Sequence, residues 1–167
     1  MDVLFAPLGS KWQPVSDKLA SMRRLIALPL IALAAAVGVI IVVAVFGTSA
    51  WGVGLIALLV VLALASGLWL SGWAGRNARS WGYAENADDL LVTGGVMFRR
   101  LVAIPYGRMQ FVDVKAGPVQ RWYGIATVTL HTASTATAAQ IPGVLADDAR
   151  ALRNRLTEMG EAHGAGL

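Results

Sequence analysis

Between residues 25 and 75 the chain contains no Asp, Glu, Lys, Arg or His. A stretch of that length without a charge cannot coat a soluble domain, because exposed helices and strands need a polar face. It fits a bilayer. Residues 25–46 form one nearly pure Ala, Val, Ile and Leu run and residues 50–72 a second. Each reaches the ~20 residues that a hydrocarbon core of roughly 30 Å requires of a helix. Gly47, Thr48 and Ser49 separate them, so the pattern predicts a tight transmembrane hairpin. Pro29 falls in the first turn of the first run and is expected to start that helix. A secretory signal is a poorer fit, since the apolar run begins late and exceeds the ~7–15 residues of such a segment.

The charges that flank the hairpin set its expected orientation. Lys11, Lys18, Arg23 and Arg24 precede it, Arg76 and Arg79 follow it, and the turn carries none. Basic residues collect on the cytoplasmic side. Residues 1–24 are therefore expected to be a cytoplasmic segment, with both termini inside a multi-pass protein of the plasma membrane. Trp51 near the outer turn and Trp69 and Trp73 near the inner exit stand where indole rings favour the headgroup zone. With Arg23, Arg24, Arg76 and Arg79 they are the expected interface anchors. Ala50, Gly54, Ser66 and Gly67 are small enough to let the two helices approach closely, and simple hairpin packing accounts for them.

Beyond Arg79 the composition changes to short apolar runs separated by turn residues, the pattern of an antiparallel β domain. Strands are expected at 80–85, 90–93, 96–104, 109–115, 125–133 and, less markedly, 135–141, with Gly94-Gly95 supplying a positive-φ hairpin turn. In 125–133 Ala126, Val128 and Leu130 alternate with Thr127, Thr129 and His131, which predicts one buried and one wet face. Leu145, Ala149, Leu152, Leu156 and Met159 then recur at steps of three and four, with Asp147 and Asp148 leading and Arg150, Arg153 and Arg155 following. That is an amphipathic helix with charges matched to its dipole, expected to bury Leu152 and Leu156 against an open end of the sheet. Residues 160–167 are expected to be a frayed tail.

Several short strings, in order, give the region after the hairpin a family likeness. They are Asp88-Asp89-Leu90-Leu91-Val92, Ile104-Pro105-Tyr106-Gly107-Arg108-Met109-Gln110, Gly117-Pro118-Val119-Gln120-Arg121 with Tyr123-Gly124-Ile125-Ala126-Thr127-Val128, Thr132-Ala133, and Ile141-Pro142-Gly143-Val144. The chain resembles the bacterial pleckstrin-homology (PH) domain membrane proteins of the YdbS-like type. The resemblance covers residues 79–156 and includes the two-helix anchor. It implies a PH-like fold over 79–159, about seven curved antiparallel strands capped by a C-terminal helix. It also implies a longer membrane paralogue with repeated domains as a possible companion. It assigns no activity, since PH-like folds bind lipids, peptides or proteins.

The remaining residues narrow the function classes. There is no cysteine, which removes disulfides, thiol catalysis and thiolate metal sites. His131, His163, Ser80, Ser134 and Asp113 are the material for a catalytic constellation, but they are scattered, so an enzyme, a metal centre or a cofactor is not expected. From Arg76 onward ten basic side chains face eight acidic ones, which does not suit nucleic acid. Arg99, Arg100, Arg108, Lys115 and Arg121 are candidate contacts to a partner or to anionic headgroups, and Gln110 joins them through its place in the most family-like string. The turn Asn86-Ala87-Asp88-Asp89 lacks the basic cluster of a phosphoinositide site. The expected role is a non-enzymatic module that binds another membrane protein or itself at the inner leaflet. Headgroup sensing and service as an accessory subunit of a transport or stress-resistance complex are the alternatives. Arg108 is expected to bond carbonyls at a strand entry, and Gln110 to pair across the sheet.

Overall fold

The computed structural model describes residues 11–47, 49–132 and 138–164. They form two units: the hairpin Ala20–Gly75, and a β domain made from chain on both sides of it, Met1–Leu19 and Arg76–Leu167. The transmembrane hairpin is thus an insertion into the β domain rather than a leader in front of it.

In the hairpin, α1 (Lys18–Phe46) and α2 (Ala50–Ser80) are both longer than their apolar runs. Their charged ends continue the helices because Lys, Arg, Ala and Met are good helix formers. Pro29 consequently lies inside α1 rather than at its start, where its ring removes one backbone donor. The turn has clear causes. Gly47 takes φ +57° and its N–H bonds the Val43 carbonyl at 2.9 Å, the left-handed stop that glycine supplies most readily. Ser49 then caps α2, its Oγ accepting the Gly52 N–H at 3.3 Å. A Cβ on Gly67 would touch Leu28 at 3.5 Å, whereas one on Gly54 would meet open space. Sequence alone did not single out Gly38, which packs against Leu59. Large apolar side chains point outward along both helices, Leu33, Ile40, Leu64 and Leu68 among them. Such a surface needs lipid around it.

The β domain has two antiparallel sheets. Sheet A runs β1 (Gln13–Pro14), β2 (Gly82–Glu85), β3 (Asp89–Gly94), β4 (Arg100–Pro105) in spatial order. Sheet B runs β5 (Met109–Lys115), β6 (Ile125–Thr132), β7 (Ala139–Leu145). A short helix α3 (Pro118–Tyr123) links β5 to β6, and α4 (Ala146–Gly164) closes the domain. Leu90, Ile104, Tyr106, Ile125, Val128, Leu130 and Ile141 are fully buried, and Leu152 and Leu156 of α4 are fully buried with them. This is the PH-like arrangement that the family resemblance implies, built from the antiparallel strands and closing helix that the periodicity predicts.

Several elements depart from expectation. The described part of the expected segment 1–24 does not stand apart, because Gln13 pairs with Tyr83 and Pro14 with Gly82, and Val15 and Leu19 enter the core. The third strand starts at Arg100 rather than at Val96, since Gly95 turns the chain at φ +105° and leaves residues 96–99 in the loop. Leu145 ends β7 and is partly exposed instead of opening the helical stripe. Thr129 is buried rather than wet. The expected tail is helical through Gly164. The part of the expected strand 135–141 before residue 138 lies outside the described residues.

Candidate functional site

The longest family-like string builds the corner between β4 and β5. Ile104 is buried, Pro105 precedes the short 3-10 turn Tyr106–Arg108, and Tyr106 is driven wholly into the core. A buried phenol needs a partner, and its O–H donates to the Asn86 carbonyl at 2.9 Å. The Tyr106 N–H bonds the Asp88 carbonyl at 3.2 Å, so the corner is tied to the β2–β3 turn. Burial first, then the negative charge of Glu85, pushes the phenol pKa up to about 12. The string is therefore explained by packing. Beside it, the Arg155 guanidinium donates two bonds, of 2.9 and 2.8 Å, to the Glu85 carboxylate, a forked pair that fastens α4 to β2.

Sheet B ends at β5, which has no strand partner on its outer side among the described residues. Between β5 and the last turns of α4 lies a groove of about 180 Å³, lined by Met109, Gln110, Phe111, Val112, Leu156 and Thr157, with Gly160 and Glu161 at its end. A β-bulge shapes its wall: Met109 pairs with Thr132 and Phe111 with His131, leaving Gln110 as the extra residue. Gln110 is exposed and opposes no residue of β6, so the expected pairing across the sheet does not form. Bulges re-aim side chains in this way. Phe111 stays partly exposed while its ring stacks on His131 at 4.1 Å and 12°.

The candidate basic residues do not converge into one pocket. Arg99 and Arg100 stand exposed at the β3–β4 loop. Arg108 is exposed on the 3-10 turn at one end of β5, and Lys115 closes its other end. Lys115 pairs with Asp113 at 2.9 Å along the same strand, and this contact holds the Asp113 carboxyl below the usual carboxylate range. Arg121 is exposed on α3. In that helix Gln120 accepts the Gly117 N–H at 2.9 Å and donates to Thr127 Oγ1 at 3.0 Å.

Among the expected membrane anchors, Trp51, Trp69 and Trp73 are exposed on α2, as are Arg76 and Arg79. Arg23 is half-buried on α1. Arg24 has a defined role: its Nε and Nη2 donate to the Ser71 carbonyl at 3.2 and 2.9 Å, joining α1 to α2.

The residues with catalytic potential stay apart. Ser80 Oγ donates to the Asn77 carbonyl within α2, and His131 is half-buried under Phe111. His163, expected in a loose tail, sits on α4 with its ring 5.6 Å from that of Tyr106. Ser134 lies outside the described residues. No group of three or more His, Cys, Asp or Glu suited to a metal ion occurs among the described residues. Sequence reasoning missed the Glu85–Arg155 lock and β1, and no local signal marks either one.

Two apolar helices of membrane length, joined to two antiparallel sheets closed by a C-terminal helix, define a membrane-tethered PH-like module. The sequence model of the bacterial PH domain matches residues 19–160, and the chain belongs to that family. It is similar to the transmembrane protein YdbS of Bacillus subtilis (strain 168), with 30% identity over 79 residues. That match takes in 47% of this chain and 48% of the relative, about half of each. No solved structure matches the chain. Neither the family description nor the relative's name denotes a reaction.

Proposed function

We propose that this protein is a non-enzymatic, membrane-anchored interaction module that receives an extended segment of a second membrane protein along β5. The observation that carries this reading is the unpartnered outer side of β5 beside the groove to α4. An edge strand offers a row of backbone donors and acceptors to an incoming strand, and flanking pockets choose its alternate side chains. Met109, Phe111, Val112 and Leu156 make those pockets apolar. The partner segment therefore carries an apolar residue at every second position. The hairpin holds both proteins in one plane, which raises the effective concentration of a weak pairing.

The pairing of β1 with β2 supports a hairpin whose two ends lie on the same side of the bilayer. The basic flanks favour the cytoplasmic side for both ends. A photo-crosslinking residue at position 110 tests the partner reading in native membranes. A discrete adduct to a second polypeptide is expected, and it disappears when Thr157→Trp fills the groove. An adduct that survives Thr157→Trp, or no adduct at all, refutes this reading.

A further inference from the structure

Three large apolar side chains of the β domain are far more exposed than any others there: Met97 at 82%, Phe98 at 82% and Trp122 at 76%. Nothing in the domain's own packing accounts for them. Each adjoins arginine, as Met97-Phe98 is followed by Arg99 and Arg100, and Trp122 is preceded by Arg121. The three arginines are exposed as well, Arg99 in the β3–β4 loop, Arg100 at the first position of β4 and Arg121 on α3.

Strand register shows where the tips lie in the domain. Gly82 pairs with Thr93, and Thr93 with Leu101, so the β3–β4 loop leaves sheet A at the Gly82 end. Only Trp81 separates Gly82 from the end of α2, and Pro14, its partner on the other side, leads into α1. The loop that carries Met97 and Phe98 thus projects from the end of the sheet to which both apolar helices are joined. The turn into it requires glycine, because Gly95 adopts φ +105° and a Cβ there would collide with the Phe98 carbonyl. Trp122 belongs to the same end. The Ser16 N–H bonds the Gly143 carbonyl at 2.9 Å and the Ala146 N–H bonds the Gly124 carbonyl at 3.0 Å. These bonds tie the C-terminal end of α3 to the chain entering α1, and a Cβ on Gly124 would lie 3.9 Å from Lys18 Nζ.

The geometry points to a bilayer-docking face in which Met97, Phe98 and Trp122 enter the interfacial layer of an anionic leaflet while Arg99, Arg100 and Arg121 meet its phosphates. Apolar tips ringed by cations match both layers of such a surface: aromatic rings favour the headgroup boundary, and guanidinium groups are drawn to anionic lipid. A protein partner would have to supply the same apolar-over-acidic layering at two separate tips, whereas a leaflet supplies it everywhere. The face is distinct from the β5 groove and does not depend on that reading.

The chain has no cysteine, so one introduced thiol can be labelled without background. Full-length Phe98→Cys, Trp122→Cys and, as a control on α4, Glu158→Cys carry a fluorophore in nanodiscs of phosphatidylcholine with or without phosphatidylglycerol. With the anionic lipid present, lipid-borne quenchers are expected to quench positions 98 and 122 at least about threefold more than position 158, and aqueous iodide is expected to do the reverse. Each of Arg99→Gln, Arg100→Gln and Arg121→Gln is expected to lower the docking constant about fivefold. Labels at 98 and 122 that iodide reaches as readily as position 158 overturn the proposal. Labels shielded from iodide and from lipid quenchers alike overturn it too, by revealing a contact between copies of the chain. The Glu158→Cys thermal transition, compared with those of the other two proteins, confirms that all three remain folded.

Discussion

The hairpin and the β domain solve the burial problem in opposite ways. In the hairpin the large apolar residues face outward, Leu30 and Leu68 among them, and glycine at 38 and 67 lets the helices meet. In the β domain they face inward, so that Leu90, Val128 and Leu152 are fully buried, and large exposed apolar groups are confined to Met97, Phe98, Phe111, Trp122 and Leu145 among the described residues. The same amino acid therefore has a different worth in each unit. Lipid tails are as apolar as leucine, so an outward leucine of the hairpin contributes little to helix association. A leucine of the domain core contributes both transfer free energy and packing.

The largest test of that contrast is a matched pair. Leu152→Ala is expected to cost about 2–5 kcal/mol in equilibrium unfolding in detergent, whereas Leu30→Ala stays within about 0.5 kcal/mol. Equal losses would erase the distinction. Next comes Leu33→Arg, which places a charge mid-span and opposes insertion by about 3 kcal/mol. Its expected readout is partial release from membranes on alkaline carbonate extraction. The equivalent change at exposed Thr157 should leave extraction unaltered.

Smaller effects sharpen the picture of the domain alone. Gly143 sits at φ +76° in the bulge between β6 and β7, and a Cβ there would stand 2.8 Å from that of Leu19. Gly143→Ala is expected to cost at least about 1–2 kcal/mol, seen as a lower thermal midpoint. Tyr106 gives a pH signature. Burial raises its folded pKa to about 12 from the ordinary tyrosine value of 10.0, so its contribution is complete below pH 10 and is lost as pH rises toward 12. The expected loss is about 1.4 kcal/mol per pH unit in that window, and Tyr106→Phe should remove this part of the alkaline slope. Last, Glu85→Gln weakens the hold of Arg155 on β2 by about 1 kcal/mol, a loss that 1 M salt should largely mask.

Much of this fold is legible in the sequence because its signals are local. The chargeless window, the alternation in β6 and the three-and-four spacing of Ala149, Leu152 and Leu156 each announce an element within a few residues. The β1 strand does not, as Gln13 and Pro14 are only two residues without alternation and their partners lie beyond the hairpin. The helix α3 was legible in principle, with Pro118 at its first turn and Gly124 in left-handed conformation after its end, but Ala116-Gly117-Pro118 reads first as a turn. The exposed Met97 and Phe98 read as strand because apolar character does not say whether a side chain faces core or solvent. For the candidate site, sequence picked out Gln110 and the arginines as residues but not their grouping. The bulge, the groove against α4 and the two arginine-flanked tips exist only once distant segments are brought together.

The two-residue strand β1 has an outsized consequence for how the molecule is made. It is synthesised before either apolar helix, yet the strand that completes its pairing emerges only after both. A helix that stalled without turning back would maroon Gln13 and Tyr83 on opposite faces of the lipid, leaving an unzipped sheet margin and Val15 and Leu19 with no interior to enter. Closure of that margin therefore needs both ends of the hairpin on one side of the lipid.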